Sequence, residues 1–150
     1  MISDTKVVAI GGGTGLSTML KGLKLHTHNI TAVVTVADDG GSSGILRSDL
    51  GMLAPGDVRN CVSALAEVDP VMGELLNFRF KDGSLKGHSL GNLFLAALNE
   101  TSSSFDEAVK KFSHLAGVVG TVYPVTNESV TLSACLLYTS DAADDLIGVD

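Results

Sequence analysis

Aromatic residues and cysteines are scarce in this chain. It contains no tryptophan, five phenylalanines and two tyrosines, so aliphatic side chains have to form its core. The two cysteines, Cys61 and Cys135, provide neither a disulfide framework nor metal-ligand spacing, which favours a reducing, cytoplasmic location. Basic residues are also few, since ten Lys and Arg against 17 Asp and Glu leave a net charge of −7. This excess of acid, without a basic stripe, argues against nucleic-acid binding.

Long hydrophobic runs are absent as well. No stretch approaches the ~20 apolar residues that a membrane-spanning helix requires. The first residues lack the basic segment of a signal peptide. The chain is therefore predicted to have no membrane span and to stay in the cytoplasm. Its 150 residues are typical of one domain, and no linker or internal repeat divides them.

Glycine, by contrast, is abundant, and four of the 17 glycines lie between Gly11 and Gly15. The apolar run Val7–Ile10 before them predicts a strand, and the apolar spacing of residues 16, 19, 20 and 23 predicts a one-sided helix after them. Backbone N–H groups and the dipole at such a helix N-terminus favour an anion. The stretch therefore predicts a phosphate-binding loop, formed by Gly11, Gly12, Gly13, Thr14 and Gly15.

The spacing of this loop matches neither common phosphate-binding motif. Leu16 occupies the position of the third glycine in the dinucleotide motif G-x-G-x-x-G, and no lysine follows Gly15 as a P-loop would require. A NAD-dependent oxidoreductase is therefore disfavoured. A tight strand–helix turn that binds nothing is the alternative interpretation of this stretch.

A second β-branched run, Ile30–Val36, completes a strand–helix–strand unit with a right-handed crossover and parallel strands. We expect this second strand to be buried on both faces. Further strands are predicted at Val118–Val122 and Val130–Ala134, whereas Ile45–Ala54 has no clear pattern. The remaining helices are predicted from Pro55 with Val58, Cys61, Val62 and Leu65 inward, over Val71–Phe80, after Asn92 with Leu93, Phe94, Ala97 and Leu98 inward, and from a Ser104 capping box to Leu115.

Acidic and polar residues follow the predicted strand ends and helix starts. Asp38 and Asp39 follow the second strand, where one acid can bind a ribose diol or two acids can hold Mg²⁺ beside phosphates. A solvated turn is the alternative there, and Asp57, in the first turn of a predicted helix, is open to the same interpretations. Arg59 and Asn60 come next, and Arg59 either grips a phosphate with two hydrogen bonds or forms a surface ion pair.

The stretch Gly87–Asn92 is another polar helix start. Ser89 and Asn92 are three residues apart and share a helix face. His88 is interpreted as a hydrogen-bonded cap rather than a catalytic base. Ser42 and Ser43 lack the His and Asp order that would indicate a nucleophile.

Four motifs thus occur in order along the chain: Gly11–Ser17, Val36–Gly44, Pro55–Asn60 and Gly87–Asn92. Together they resemble the bacterial gluconeogenesis factor family, which is related to the 2-phospho-L-lactate transferases of coenzyme F420 synthesis. The resemblance covers residues 6–134 and departs from the family pattern at Ala54, where a proline is typical. It implies a Rossmann-like three-layer α/β sandwich with a mostly parallel sheet and a nucleotide pocket at the carboxyl ends of the strands.

The gluconeogenesis-factor branch is our first interpretation, because Ala37–Gly44 and the run from Phe78 to His88 resemble it. It implies a regulator that binds a UDP-sugar such as UDP-N-acetylglucosamine and supports growth on gluconeogenic carbon sources and control of cell shape and wall precursors. This interpretation leaves a homo-oligomer open. The residues implied to bind nucleotide or phosphate are the loop residues named above together with Ser42, Ser43, Arg59, Asn60, His88, Ser89 and Asn92.

The alternative is the transferase branch, which moves a phospholactyl or phosphoenolpyruvyl group from a guanylylated donor to a deazaflavin with Mg²⁺. Carried over to this sequence, Asp39 and Asp57 become the metal and transfer acids. Asp38 and Asp39 are the pair for a ribose or a metal. Residues 88–92 then line the acceptor side of the pocket.

The C-terminal segment Cys135–Asp145 resembles the translated read-through of a sequencing adapter, and a natural acidic tail is the alternative. We therefore expect residues 1–134 to be the N-terminal part of a single nucleotide-binding α/β domain. Residues 135–150 are expected to be non-native. Because the chains of the family are longer, we expect a domain that is truncated at its C-terminus.

Overall fold

The computed structural model describes residues 4–133, and their strands form one parallel sheet. The strands are β1 (Val7–Gly11), β2 (Ile30–Val34) and β3 (Thr121–Pro124). They are hydrogen-bonded in the order β1-β2-β3, with Val7 opposite Ile30 and Thr31 opposite Thr121. The predicted parallel α/β architecture is confirmed.

Within the described residues, six helices connect these strands. They are α1 (Gly13–Leu23), α2 (Gly41–Leu50), α3 (Gly56–Leu65), α4 (Pro70–Asn77), α5 (Leu90–Glu100) and α6 (Phe105–Leu115). Helix α1 joins β1 to β2, and the other five lie between β2 and β3. Because both crossovers step in the same direction across the sheet and such crossovers are right-handed, their helices pack on the same face. That face buries Ala9, Ile30, Ala32, Val34 and Val122.

The opposite face of the sheet is open in residues 4–133. Val8 and Ile10 of β1 are 65% and 75% exposed, and Tyr123 of β3 is 39% exposed. Burial alternates along β2, where Thr31 and Val33 are only half-buried. The expectation of a second strand buried on both faces is therefore wrong for the described residues, which form a sheet layer and one helix layer.

Helix α6 follows its local sequence signals closely. Ser104 accepts the N–H of Glu107 at 3.2 Å, and the Glu107 carboxylate accepts the N–H of Ser103 at 2.7 Å. In a capping box the Glu107 carboxylate would accept the N–H of the N-cap residue Ser104, whereas here it accepts the N–H of the preceding residue, Ser103. At the other end, Gly117 has a φ of +53°, the left-handed conformation that commonly ends a helix. Phe112 is buried as predicted.

Helix α5 turns a different face inward from the one predicted. Of the predicted apolar stripe, Phe94 is 38% exposed and Ala97 is also exposed. Leu95 and Ala96 occupy the core positions instead. The rotation of the helix follows from Asn92, which is buried in a polar network described below and has to face the interior.

Helix α4 ends at Asn77, before the predicted end at Phe80. The next residues run extended beside residues 87–90, with an isolated bridge between Arg79 and Ser89. The N–H of Phe80 donates to the carbonyl of His88 at 3.0 Å. The carbonyls of Phe78 and Phe80 accept the N–H groups of Leu90 at 2.8 Å and Gly87 at 2.9 Å. These bonds between two segments of the chain take the place of helical ones after Phe78.

Other boundaries also differ from the prediction. Helix α2 includes the first six residues of Ile45–Ala54, for which no element was predicted. Met19, which was predicted to lie on the apolar face of α1, is 52% exposed. Strand β3 begins three residues later than predicted, because Val118 forms an antiparallel bridge with Ala66.

The predicted strand at residues 130–134 is absent from residues 130–133, and Ala134 lies outside the described residues. The predicted boundary at residue 134 and the predicted non-native segment 135–150 lie outside them as well. No helix in residues 4–133 is long and apolar enough to cross a bilayer.

Candidate functional site

The glycine-rich loop joins the carboxyl end of β1 to the first turn of α1. An ideal Cβ on Gly12 would lie 2.1 Å from Thr35 Cγ2 and 2.7 Å from Asp57 Oδ2, so no larger residue fits there without a shift. Gly13 has a φ of +66°, which glycine adopts without strain. A Cβ on Gly13 or Gly15 would meet no heavy atom within 4 Å. The loop is thus packed against the protein at Gly12 and open at the next turn.

The helices divide into two groups by how their N-termini are capped. The N-cap residues of α1, α2 and α3 are Gly12, Gly40 and Pro55, and none of them provides a side-chain acceptor. The N-cap residues of α4, α5 and α6 are Asp69, Ser89 and Ser104, and each accepts an N–H of its first turn. The first-turn N–H groups of α1, α2 and α3 therefore have room for an acceptor from outside the chain.

These three uncapped helix starts lie close together. Gly12 touches Asp57 in the first turn of α3, and an ideal Cβ on Gly56 would lie 2.3 Å from Ser43 Oγ in the first turn of α2. Beside them is a pocket of about 170 Å³. It is lined by Asp38, Gly40, Gly41, Ser42, Ser43, Gly56, Asp57, Arg59, Asn60, Arg79 and Asn92. The fold thus brings together predicted site residues from three separate motifs.

The two neighbouring acids after β2 point to different places. Asp38 lines the pocket with Asp57, and its Oδ1 accepts the N–H of Gly40 at 3.0 Å. Asp39 forms an ion pair with Arg47 at 2.7 Å and lines an adjacent cavity of about 380 Å³. Successive side chains of extended backbone point in opposite directions, so one acid enters the pocket and the other does not. The predicted pair of Asp39 and Asp57 is therefore not brought together, whereas Asp38 and Asp57 are.

A chain of buried hydrogen bonds links α2, α3 and α5 behind the pocket. Arg59 Nε donates to Asn92 Oδ1 at 3.3 Å, and Asn92 Nδ2 donates to Ser42 Oγ at 3.2 Å. Ser42 Oγ lies 2.9 Å from His88 Nδ1. A second arginine nitrogen, Nη1, donates to Asn77 Oδ1 at 2.9 Å. Because a guanidinium can only donate, Arg59 fixes the orientation of the Asn92 amide and thereby the position of Ser42.

The residues at the start of α5 have separate parts in this arrangement. Ser89 is the N-cap and accepts the N–H of Asn92 at 3.2 Å. His88 is hydrogen-bonded, as predicted, but to the side chain of Ser42 rather than to the first turn of its own helix. His88 and Ser89 are buried and lie behind the pocket lining. Their predicted contact with a nucleotide stays a prediction.

Comparison with known proteins decides the family. The sequence matches the family described as 2-phospho-L-lactate transferase CofD over residues 7–143. The chain belongs to this family.

Proteins similar to this chain are named for gluconeogenesis and not for the transferase. A protein of Thermoanaerobacterium thermosulfurigenes is 64% identical over 135 residues, which are 90% of this chain and 42% of that protein. A Bacillus subtilis protein is 51% identical over 130 residues, 86% of this chain and 41% of that protein. The latter is named gluconeogenesis factor, and the former carries the same name in provisional form. The chain spans less than half the length of these relatives.

A solved structure supports the same placement. A crystal structure of a Bacillus halodurans protein aligns with a TM-score of 0.80 at 49% identity, covering 84% of this chain and 41% of that one. The expected resemblance to gluconeogenesis factors is confirmed by these matches, and so is the α/β fold.

The family's transferase name raises the question of a magnesium ion. Mg²⁺ is usually bound by one or two carboxylates together with substrate phosphates and water. Asp38 and Asp57 provide two carboxylates in one pocket, beside the helix starts that have room for phosphate oxygens. Residues 4–133 contain no cluster of three His, Cys, Asp or Glu side chains that could hold a metal alone. The pocket therefore fits Mg²⁺ only in company with an oxygen-rich ligand.

Charged side chains of both signs line the pocket, Asp38 and Asp57 beside Arg59 and Arg79. Arg59 is 7% exposed, and burial lowers its pKa, with the nearby charge of Arg79 acting in the same direction and Asp57 in the opposite one. Cys61, on the same helix, has a pKa raised to about 12 by burial and by Asp57, so its thiol is unreactive.

Sequence reasoning missed three residues of this site. Arg79 lines the pocket, Asn77 holds Arg59, and Thr35 packs against Gly12. The alternation of aromatic and basic residues around Arg79 is a strand signal and could have indicated that this segment is extended. The other two contacts join residues far apart in sequence and leave no local pattern.

Proposed function

We propose that this chain provides the phosphate-binding half of a regulator that binds a nucleotide sugar, with a UDP-sugar such as UDP-N-acetylglucosamine as its ligand. The observation that carries the proposal is that three helices, α1, α2 and α3, begin close together and that, within residues 4–133, no N-cap side chain bonds to their first turns. Unsatisfied backbone N–H groups and aligned helix dipoles attract phosphate oxygens.

The loop geometry supports a diphosphate at α1. Gly12 is held against Thr35 and Asp57, while the space around Gly13 and Gly15 is open. A ligand phosphate can therefore approach the backbone closely without meeting a side chain. The amide and hydroxyl groups of the neighbouring pocket suit the hydroxyl groups of a sugar.

The names of two relatives support the part of the proposal that concerns gluconeogenesis. Proteins 51% and 64% identical to this chain are named for gluconeogenesis. We assign to the whole protein a cytoplasmic role in growth on gluconeogenic carbon sources and in control of cell shape. Because this chain spans 42% of one relative and 41% of the other, recognition of the base and sugar can involve residues beyond those described.

A transferase is the second candidate, and a specific observation favours it. Asp38 and Asp57 lie in one pocket next to the uncapped helix starts, which suits Mg²⁺ bound with the phosphates of a guanylylated donor. The family match carries a transferase name as well. In this candidate Asp38 replaces Asp39 as the partner of Asp57.

Calorimetry separates the two candidates. UDP-N-acetylglucosamine and GDP are titrated into this chain and into the Bacillus subtilis relative, each with and without Mg²⁺. We expect saturable heat with the UDP-sugar and little Mg²⁺ dependence. Mg²⁺-dependent binding of GDP alone would replace the regulator with the transferase, and no heat from either ligand in either protein would refute nucleotide binding at the glycine loop.

A further inference from the structure

An apolar groove of about 320 Å³ lies between α4, α5 and α6. Every residue that lines it is apolar: Met72, Leu75, Leu76, Leu90, Phe94, Phe112, Leu115 and Ala116. The rotation of α5 buries Asn92 and leaves Phe94 at the surface, with its ring centroid 5.6 Å from that of Phe112. The groove shares no residue with the pocket at the starts of α2 and α3, so it is a separate feature of the molecule.

Helix α4, one wall of the groove, also carries an exposed apolar ridge. Val71, Met72 and Leu75 are exposed on one side of the helix, and the exposed Phe78 follows at its C-terminal cap. Asp69 accepts the N–H of Val71 at 2.9 Å and caps the first turn. Because the start of α4 is fixed in this way, the α4 ridge is an ordered surface next to an ordered groove.

The apolar area exposed around the groove is large for a free surface. Six apolar side chains there are between 38% and 63% exposed: Val71, Met72, Leu75, Phe78, Phe94 and Leu115. At about 200 Å² for a fully exposed large side chain, they present roughly 600 Å² together. The largest apolar patch on a monomeric protein is about 300–600 Å² and often has a function. Two such patches would bury about 1,200 Å², which reaches the lower limit of specific protein interfaces.

The position of the groove limits what can cover it. Helices α3 and α6 pack on the strands, whereas α4 and α5 pack mainly on other helices. The groove is therefore on the helix side of the sheet, and the second helix layer of a doubly wound domain would cover the opposite, open face instead. A small ligand is disfavoured as well. Ligand sites contain a few polar groups that orient the ligand, and the described lining has no polar side chain.

We propose that this groove is an interface at which two copies of the chain form a dimer. A ridge beside a groove is self-complementary, because a two-fold axis places the α4 ridge of each copy in the groove of the other. Glu74 and His114 are exposed next to groove residues of α4 and α6 and provide polar groups for the rim. The interface also includes the helix whose last residue, Asn77, holds Arg59 at the ligand pocket. The proposal does not depend on nucleotide binding.

Sedimentation velocity tests the proposal. The 150-residue chain is measured at about 5–500 μM with interference optics, because it contains no tryptophan. We expect a reversible monomer–dimer equilibrium in this range. Leu75→Lys places a charge on the α4 ridge and should raise the dissociation constant of the dimer at least about tenfold, since the charge would be buried without a partner. Leu115→Lys should have the same effect from the opposite wall, at a helix C-terminus where a positive charge favours folding.

Two matched variants serve as controls. Leu25→Lys changes an exposed leucine after α1, outside the groove, and should leave the dissociation constant within about twofold of the wild type. Ile10→Lys places the same charge on the open face of the sheet and should also have little effect. Circular dichroism establishes that each variant is folded. The full-length Bacillus subtilis relative should dimerise as well, and a lysine at its position aligned with Leu75 should weaken that dimer.

Four results would overturn the proposal. The first is a wild-type chain that stays monomeric over the whole concentration range. The second is an equal loss in Leu75→Lys and Leu25→Lys, which would reveal a general charge effect. The third is a loss in Ile10→Lys alone, which would place the contact on the open face of the sheet. The fourth is a monomeric full-length relative whose midpoint of urea unfolding falls with the aligned lysine, because its own additional residues would then cover the groove.

Discussion

Replacing Gly15 with aspartate should stabilise the protein while weakening nucleotide binding. Gly15 lies in the first turn of α1, its φ is not positive, and an ideal Cβ there meets no heavy atom within 4 Å. Aspartate has a better helix propensity than glycine by a few tenths of a kcal/mol. A negative charge in the first turn adds about 0.3–1 kcal/mol through the helix dipole. The free energy of unfolding should therefore rise by about 0.5–1.5 kcal/mol.

The same carboxylate would stand beside the bound phosphates. Two unit charges 4 Å apart repel by about 4 kcal/mol at an effective dielectric constant of 20, and solvent lowers this value for an exposed turn. A net cost of about 1–4 kcal/mol corresponds to a loss of affinity of roughly fivefold to a thousandfold. A variant that is more stable than the wild type but binds the nucleotide more weakly has lost affinity at the site and not through unfolding.

Gly15→Asn is the matched control, because it has nearly the same shape without the charge. Thermal unfolding and calorimetry with UDP-N-acetylglucosamine are measured on both variants at low and high salt. We expect the aspartate variant alone to lose affinity, and the difference between the variants to shrink as salt rises. Unchanged affinity in the aspartate variant, or an equal loss in both, would refute a phosphate at the N-terminus of α1.

Three further outcomes can be measured on the same chain. Gly12→Ala should cost about 1–3 kcal/mol in urea unfolding, since its Cβ would lie 2.1 Å from a Thr35 methyl carbon, whereas the open Gly15→Ala should not destabilise. Hydrogen bonds from Ser103 lower the pKa of Glu107 from 4.5 to about 2. The stabilisation that the Glu107 carboxylate gives the folded state is therefore present above pH of about 4.5 and is lost as the pH falls towards 2. Glu107→Gln should flatten the dependence of the free energy of unfolding on pH over this range. Cys61, with a pKa of about 12, should resist thiol reagents at pH 8 until denaturant is added, as read by peptide mapping.

Elements whose signals are local were predictable from the sequence. The strand, glycine loop and helix around Gly12 follow from a β-branched run, a cluster of glycines and an apolar stripe. Helix α6 follows from its capping residue and its inward Phe105, Val109 and Phe112. In these segments propensity, spacing and capping agree, so the tertiary structure has nothing to override.

Features that depend on distant partners were not predictable. Helix α5 rotates because Asn92 bonds to Arg59, which lies 33 positions earlier. Asp38 rather than Asp39 enters the pocket because successive side chains of the extended segment after β2 point in opposite directions, and Asp39 pairs with Arg47, eight residues later. For both the inward face of α5 and the acid that enters the pocket, a shift of one residue decides which side chain takes the position. Hydrophobic periodicity does not specify a position within one residue.

The open face of the sheet relates this chain to its longer relatives. Both crossovers of the described residues step in one direction, so they cover a single face and leave β1 at the sheet edge with Ile10 75% exposed. In doubly wound sheets the winding reverses beside the first strand, and the crevice at this reversal holds the ligand. The Bacillus subtilis relative, of which this chain spans 41%, should therefore add a strand next to β1 and helices over the open face.

A lysine at position 10 tests this expectation. In the present chain Ile10→Lys replaces an exposed side chain and should change the free energy of unfolding by no more than about 0.5 kcal/mol. At the aligned position of the full-length relative, the same charge would be buried between layers and should cost about 3 kcal/mol or more. Urea unfolding of both pairs gives the comparison. A small effect in both proteins would mean that the face stays open in the longer chain, and the glycine loop would then lie at a sheet edge instead of in a crevice.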